Sequence, residues 1–229
     1  MNNLVKTGEK YMKKKLKVLG ISVLSLILVL IIGVGMIFKG EIRTLISFKQ
    51  LNEHPFYEMT YHADYNLDEF LINGAATDDE LVSFVTKQIL KGVSFDVNPD
   101  GACSTFIATN LEDENLFGRN FDYVHSIGLI VRTQPKNGYK SISLVNLNHL
   151  GLSLENMPTK NLINRIVTLA APYAPLDGMN EKGLAIGVLV IQDGKVHQNT
   201  GKVPITTTSA IRMVLDKAAT VDEAIELLK

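Results

Sequence analysis

The sequence predicts an α+β fold that follows one membrane-spanning helix. Three observations support this prediction: a long uncharged apolar run near the N-terminus, a series of short β-like runs in the middle of the chain, and helical patterns towards its end. Strands followed by helices are typical of α+β layers rather than of alternating βα units. The residues after the apolar run show no internal repeat and are numerous enough for one sizeable domain.

The predicted membrane helix is an uncharged run of 21 residues from Val18 to Phe38, which explains a mean hydropathy of +0.12 beside 21% charged residues. Such a helix spans roughly 31 Å, the thickness of a bilayer hydrocarbon core. Lysines cluster before the run, so the positive-inside rule predicts a cytoplasmic basic tail (1–17), an anchor (18–38) and an extracytoplasmic remainder at the cell membrane. A cleaved signal peptide is the alternative, although the run exceeds the usual apolar length of about 7 to 15 residues. The lysines are Lys6, Lys10, Lys13, Lys14, Lys15 and Lys17.

Charge and cysteine content exclude several classes of protein. The chain has 23 Lys+Arg against 24 Asp+Glu, a net charge of −1, which argues against a nucleic-acid-binding protein. One cysteine cannot form an internal disulfide, so a hydrophobic core must stabilise the fold. The histidines have no metal-ligand spacing, so no metal site is predicted. They are His54, His62, His125, His149 and His197.

The residues after the apolar run divide into a stretch without clear secondary-structure signals and a stretch with clear helix and strand patterns. Residues 39–76 have weak periodicity, and we interpret them as a packed or partly ordered connector. Capping-box patterns at Thr77–Glu80 and Thr220–Glu223 each predict the start of a helix, the first ending at Gly92. Between these helices lie predicted strands at 103–109, 115–123, 127–133, 141–148 and 183–191, and predicted helices at 161–171 and 207–218.

Cys103 opens the first of these strands and has charged residues near it. A short turn at 112–114 would fold the next strand back and bring Arg119 and Asp122 towards the thiol. A cation beside a thiol favours the thiolate. Arg119 and Asp122 are three residues apart, so both face one site only at a strand end or at a bulge, which Gly118 would permit. A buried structural cysteine and a structural Arg–Asp ion pair are the plainer alternatives.

The segment from Cys103 through Phe117-Gly118-Arg119-Asn120-Phe121-Asp122, with a second block Asp177-Gly178-Met179-Asn180-Glu181-Lys182-Gly183-Leu184, resembles the choloylglycine hydrolase family. That family includes bile salt hydrolases and penicillin V acylases and is related to acid ceramidase and N-acylethanolamine-hydrolysing acid amidase. The resemblance covers about residues 101–229. It implies an N-terminal-nucleophile hydrolase with an αββα sandwich, in which the cysteine is the first residue of the mature chain.

The resemblance also implies a reaction and a role for each residue. Cys103 would attack the carbonyl of a non-peptide linear amide and form a thioester, with its own α-amine as base. Arg119 and Asp122 would position the thiol and the amine, and Asn180 would contribute to the oxyanion hole, chiefly through its backbone N–H. The expected substrate is a small N-acyl compound of the bile-salt, penicillin V or N-acyl amino acid or amine type. No cofactor is implied, and a homo-oligomer stays open.

Because 102 residues precede the cysteine, the Ala102–Cys103 bond would have to be cut, as in acid ceramidase and its relatives. Residues 39–102 would be a prosegment whose helix covers the site, and 103–229 the N-terminal part of the hydrolase domain. The family places a further oxyanion-hole Asn and a second Arg beyond these motifs, so we expect a fragment of a longer protein with little activity of its own. The alternatives are a catalytically inactive, membrane-tethered binding or structural module, and a Cys–His thiol hydrolase that uses His125.

Overall fold

A single long helix, α1 (Asn2–Ile37), contains all of the apolar run except its last residue, Phe38. The computed structural model describes residues 2–95, 102–122, 126–189 and 200–229. Within α1, the stretch Lys14–Ile37 is long and apolar enough to cross a membrane, and its side chains are not covered by the rest of the chain. A signal sequence has the same length and composition, so the helix fits both alternatives.

The remaining helices and strands form a mixed α+β domain. In chain order they are α2 (Lys39–Ser47), β1 (Lys49–Gln50), β2 (Phe56–Thr60), α3 (Leu67–Asn73), α4 (Asp78–Gln88), β3 (Ala102–Thr109), β4 (Asn115–Asp122), β5 (Gly128–Thr133), β6 (Ser141–Asn146), a 3-10 helix (Leu147–Leu150), α5 (Leu162–Val167), a second 3-10 helix (Thr168–Tyr173), β7 (Pro175–Asn180), β8 (Ala185–Gly187), α6 (Thr207–Lys217) and α7 (Val221–Leu228).

Most strands belong to one six-stranded sheet with the order β1-β2-β5-β6-β7-β8. Strands β2 and β5 run parallel, and the other neighbouring pairs are antiparallel. Strands β3 and β4 instead form a separate antiparallel hairpin. The segment with the cysteine therefore lies outside the large sheet.

Strand β2 lies inside the large sheet, although the weak periodicity of residues 39–76 did not predict a strand there. It pairs with β5 over its whole length, from Phe56 opposite Gly128 to Thr60 opposite Arg132. Tyr57 and Met59 are fully buried and belong to the main core cluster. Residues 39–73 thus form α2, β1, β2 and α3, which corresponds to the packed alternative of that interpretation.

One face of the large sheet is covered by helices. Cross-strand partners share a face, and Met59, Val131, Ser143 and Gly178 oppose one another across four strands. Helix α6 approaches this face closely at Gly178, where an added Cβ would lie 2.8 Å from Cδ1 of Leu215 on α6 and 2.6 Å from the backbone oxygen of Ile142 on β6. Glycine is therefore required where β6 and α6 both lie close to β7.

The hairpin covers the opposite face of the sheet. Asp177 and Gly187 oppose each other on β7 and β8, and a Cβ on Gly187 would lie 3.2 Å from the Phe117 ring and 3.5 Å from Cδ of Arg119. Helix α6, the large sheet and the hairpin therefore follow one another as α, β and β layers. This order is consistent with the expected sandwich, whose second helical layer is not seen in the described parts of the chain.

Capping patterns located two helices correctly. The side chains of Thr77 and Thr220 accept hydrogen bonds from the backbone N–H groups of Glu80 and Glu223, as N-caps of α4 and α7. The other boundaries are less accurate. The helix predicted at 161–171 is divided into α5 and a 3-10 helix, and the strand predicted at 183–191 is regular over 185–187, with residues 190 and 191 outside the described part.

A buried ionic network fastens α6 to the sheet and to the segment before α3. Arg212 is fully buried, forms an ion pair with Asp216 and donates a hydrogen bond of 2.6 Å to Oγ of Ser141. The Tyr65 hydroxyl donates to the Asp216 carboxylate at 2.6 Å. Burial raises the pKa of Asp216 against the lowering effect of Arg212. One buried ion pair on α6 therefore connects this helix to β6 and to the segment before α3.

Candidate active site

The hairpin of β3 and β4 brings Cys103 and Arg119 to one face. Cys103 lies opposite Phe121, and Thr105 lies opposite Arg119, in a register without a bulge. Because directly opposed residues share a face and alternate residues along a strand return to it, all four side chains point the same way. They are partly buried, whereas Ser104 on the other face is exposed. This inner face is the one that meets the large sheet.

Arg119 is the centre of the site. Its Nη2 donates to Sγ of Cys103 at 3.0 Å and to the backbone oxygen of Val188 at 3.1 Å. Its Nη1 donates to Oδ2 of Asp177 at 2.9 Å. The guanidinium also lies over the ring of Phe121, 5.3 Å from its centroid. The Arg119 side chain is 5% exposed, so these contacts hold it in a largely buried position between the two sheets.

Asp177 is the acidic partner of Arg119, and its charge is influenced by opposing effects. Burial raises the pKa of Asp177, while Arg119 and a backbone hydrogen bond at Leu144 lower it, and the net effect is a raised pKa. The Asp177 side chain is 16% exposed. A carboxyl group whose pKa is shifted by burial and by a specific charged partner is typical of functional sites.

Asp122 lies on the outer face of the hairpin. It is the last residue of β4 and is exposed, and its carboxylate accepts a 2.6 Å hydrogen bond from Nδ2 of Asn120. It stands opposite Ala102, so it is next to the Ala102–Cys103 bond rather than beside the Arg119 guanidinium. No bulge brings Asp122 to the inner face, and Gly118 pairs regularly with Phe106.

Asn180 has a structural environment of its own. Its Nδ2 donates to the backbone oxygens of Leu215 and Ala218, and its Oδ1 accepts from the backbone N–H groups of Lys182 and Leu184. Its own backbone N–H donates to the oxygen of Leu184 at 3.0 Å. Asn180 therefore closes the turn between β7 and β8 and holds the C-terminal end of α6. In this conformation its N–H group is engaged within the turn.

The family comparison agrees with the motifs. The model of the linear amide C–N hydrolases, choloylglycine hydrolase family, matches residues 103–229. The chain belongs to the choloylglycine hydrolase family. No curated protein and no solved structure matches the chain. The matched region of this choloylglycine hydrolase family member starts at Cys103, the residue that the resemblance expects as the nucleophile.

One described histidine, His149, contacts an aromatic residue of the hairpin. It is buried, and its ring meets the Phe121 ring edge-on, with the ring centroids 5.8 Å apart. His125, on which the alternative Cys–His mechanism depends, lies outside the described residues, as does His197. Among the described residues, no group of His, Cys, Asp and Glu has the arrangement of a metal site.

Asp177 is the site residue that sequence reasoning missed. It opens the block that resembles the choloylglycine hydrolase family, but no role was assigned to it. The contact between Arg119 and Asp177 joins residues 58 positions apart on two different sheets. The position of Asp177 in that block was the available signal, while its partner became evident only from the tertiary structure.

Proposed function

We propose that this protein is the precursor of an N-terminal-nucleophile hydrolase that cleaves linear amide bonds in small N-acyl compounds. The observation that carries the proposal is the 3.0 Å contact between the Arg119 guanidinium and the Cys103 thiol in a chain whose family match begins at Cys103. A fixed cation beside sulfur stabilises the thiolate, which is the nucleophilic form.

Cys103 needs a base, and the intact chain does not supply one at its nitrogen. The nitrogen of Cys103 is an amide within β3, bonded to Ala102. Cleavage of the Ala102–Cys103 bond would convert it to an amine with an ordinary pKa of about 7.7 to 8.0, suited to take the thiol proton near neutral pH. Asp122 stands opposite Ala102, where a carboxylate would attract the new ammonium group.

The proposed reaction then proceeds in two balanced steps. The α-amine of Cys103 takes the thiol proton, the sulfur bonds to the carbonyl carbon, and the C–N bond breaks as the α-ammonium returns the proton to the leaving amine. Water next adds to the thioester with the amine as base, and the C–S bond breaks to release the carboxylic acid and the thiol. Asn180, at the β7–β8 turn, is proposed to donate its backbone N–H to the developing oxyanion after the turn opens.

The location of the enzyme is part of the same proposal. Residues 18–38 would form a single membrane anchor, with the basic residues 1–17 in the cytoplasm and the hydrolase domain outside the cell. The exposed apolar surface of α1 supports this arrangement. Retention in the membrane after an alkaline carbonate wash is expected for an anchor, whereas release of a chain that lacks residues 1–38 would indicate a cleaved signal peptide.

The experiment that tests the function compares the wild-type protein with Cys103→Ala by intact mass and N-terminal sequencing. We expect a new terminus that begins Cys-Ser-Thr-Phe in the wild type and none in the variant. In the natively expressed protein, hydrolysis of N-acyl amides, measured as release of the free amine, should accompany the new terminus. An uncut chain in both samples would contradict the N-terminal-nucleophile mechanism and would favour a Cys–His enzyme or an inactive relative.

A further inference from the structure

Asp177 contacts the same guanidinium that contacts the proposed nucleophile. We propose that Asp177 is a positioning residue, which holds Arg119 against the thiol of Cys103 during amide hydrolysis. The proposal rests on the proposed function, since it assigns Asp177 a part in the reaction of that site.

The guanidinium of Arg119 is held at both of its ends. Nη1 is bonded to Asp177 and Nη2 to both Cys103 and Val188, so the two ends of one rigid plane are held by different groups. Among the described residues, Nε is buried and has no hydrogen-bond partner. The Val188 oxygen and the thiol both contact Nη2. The hydrogen bond from Nη1 to Asp177 is therefore the one that holds the opposite end of the guanidinium plane.

Asp177 is also attached to a more rigid element than Arg119 is. It lies within β7, paired with Leu144 of β6 on one side and with Gly187 of β8 on the other. Arg119 lies on a hairpin whose strands, among the described residues, are paired on one side only. The ion pair thus joins the hairpin to the large sheet beside Gly187, where an added Cβ would be 3.5 Å from both Asp177 Cβ and Arg119 Cδ.

Removal of the Asp177 charge has two effects of opposite sign on the thiol. A carboxylate near a thiol disfavours the thiolate, so loss of the charge alone would make Cys103 more reactive. If Asp177 positions Arg119, loss of the carboxylate frees the guanidinium and makes Cys103 less reactive. The direction of the change therefore separates positioning from a simple charge effect.

The test is the rate of alkylation of the full chain in detergent by iodoacetamide at pH 7. Cys103 is the only cysteine in the sequence, so every alkylated thiol reports on this site. We expect Asp177→Asn to lower the rate by about fivefold or more and Asp177→Glu to restore much of it. Glu58→Gln, which removes a carboxylate of a different ion pair on the same sheet, should leave the rate unchanged. An equal or higher rate in Asp177→Asn would overturn the proposal.

A double-mutant cycle checks that Asp177 acts through Arg119. In an Arg119→Ala background, Asp177→Asn should cause no further fall in the alkylation rate. A further fall there would overturn the positioning role. If thermal unfolding shows that Asp177→Asn no longer folds, Asp177→Glu decides instead. A high alkylation rate in a folded Asp177→Glu variant supports the positioning role, and a low rate overturns it.

Alkylation needs no amide substrate, so it tests Asp177 separately from the proposed function. Hydrolysis of an N-acyl amide gives the matching catalytic signature, with a lower kcat and a nearly unchanged KM in Asp177→Asn. If the alkylation rates change as predicted but the natively expressed protein hydrolyses no N-acyl amide, the positioning role of Asp177 is supported and the proposed function is overturned. If the protein hydrolyses the amide but Asp177→Asn leaves the alkylation rate unchanged, the proposed function is supported and the positioning role is overturned.

Discussion

Nη2 of Arg119 lies 3.0 Å from Sγ of Cys103, and both side chains project from the same face of a two-stranded hairpin. The contact follows from the register, which places Arg119 two residues before the partner of Cys103. It depends equally on the large sheet, because Asp177 and Val188 hold the other bonds of the guanidinium. The thiol and its cation are therefore assembled from both β layers.

Arg119→Lys is expected to lower kcat for N-acyl amide hydrolysis by about 100-fold, since an ammonium group cannot reproduce the fork that meets the thiol, Asp177 and Val188 together. Steady-state kinetics of the processed protein would measure this change. Arg132→Lys is the matched control, because the exposed Arg132 pairs with Glu58 away from the site. Equal kcat values for the two variants would show that Arg119 contributes only its charge.

Residues 39–95 are expected to stay bound after cleavage of the Ala102–Cys103 bond. Strand β2 pairs with β5 within the sheet, and its buried Tyr57 and Met59 are part of the main core cluster. Removal of such a strand would expose a large apolar surface to water. Size-exclusion chromatography under native conditions should show both fragments in one peak, and they should separate in denaturant. A native peak that lacks the N-terminal fragment would contradict this expectation.

Arg212→Leu is expected to lower the free energy of unfolding by about 3 to 5 kcal/mol, because it leaves the buried Asp216 carboxylate without its cation. Urea denaturation followed by circular dichroism would measure the loss. The control is Asp68→Asn, which breaks the solvent-exposed pair with Lys217 and should cost less than about 1 kcal/mol. Similar losses in the two variants would show that the buried network contributes little to stability.

Glu58 gives the chain a predictable response to acid. Hydrogen bonds from Lys49 and then Arg132 lower the pKa of Glu58 below its ordinary value of 4.5. A lowered pKa in the folded state stabilises the protein above pH 4.5, and this contribution is lost as the pH falls through the folded-state pKa. The difference in unfolding free energy between the wild type and Glu58→Gln should thus shrink below pH 4.5.

The Glu58 effect is expected to be small, because the side chains of Lys49 and Arg132 are 63% and 53% exposed. Urea titrations of both proteins at several pH values would measure it. A difference that grows as the pH falls would mean that the two cations do not stabilise the Glu58 carboxylate in the folded state.

Local patterns in the sequence predicted those features that depend on neighbouring residues. The N-caps Thr77 and Thr220 bond to groups three residues away, and the uncharged run that became the apolar part of α1 is continuous. The order of the motifs around Cys103 indicated the choloylglycine hydrolase family, which the family comparison confirmed. The caps and the apolar run can be detected within a short window of sequence, and each of the motif blocks is itself short.

The tertiary structure decided the features that depend on distant residues. Strand β2 has too short an alternation to be distinguished from a connector, and its pairing with β5 determines its place in the sheet. The bond between Arg119 and Asp177 crosses 58 residues and two sheets, and it exists only because the hairpin packs on the β7–β8 edge. By itself the sequence determined the local elements and the family of this protein, because caps and motifs act over a few residues. Tertiary packing decided that Asp177 is the partner of Arg119 and that β2 is buried within the sheet. Packing brings together side chains that are far apart along the chain, and no local sequence pattern predicts such contacts.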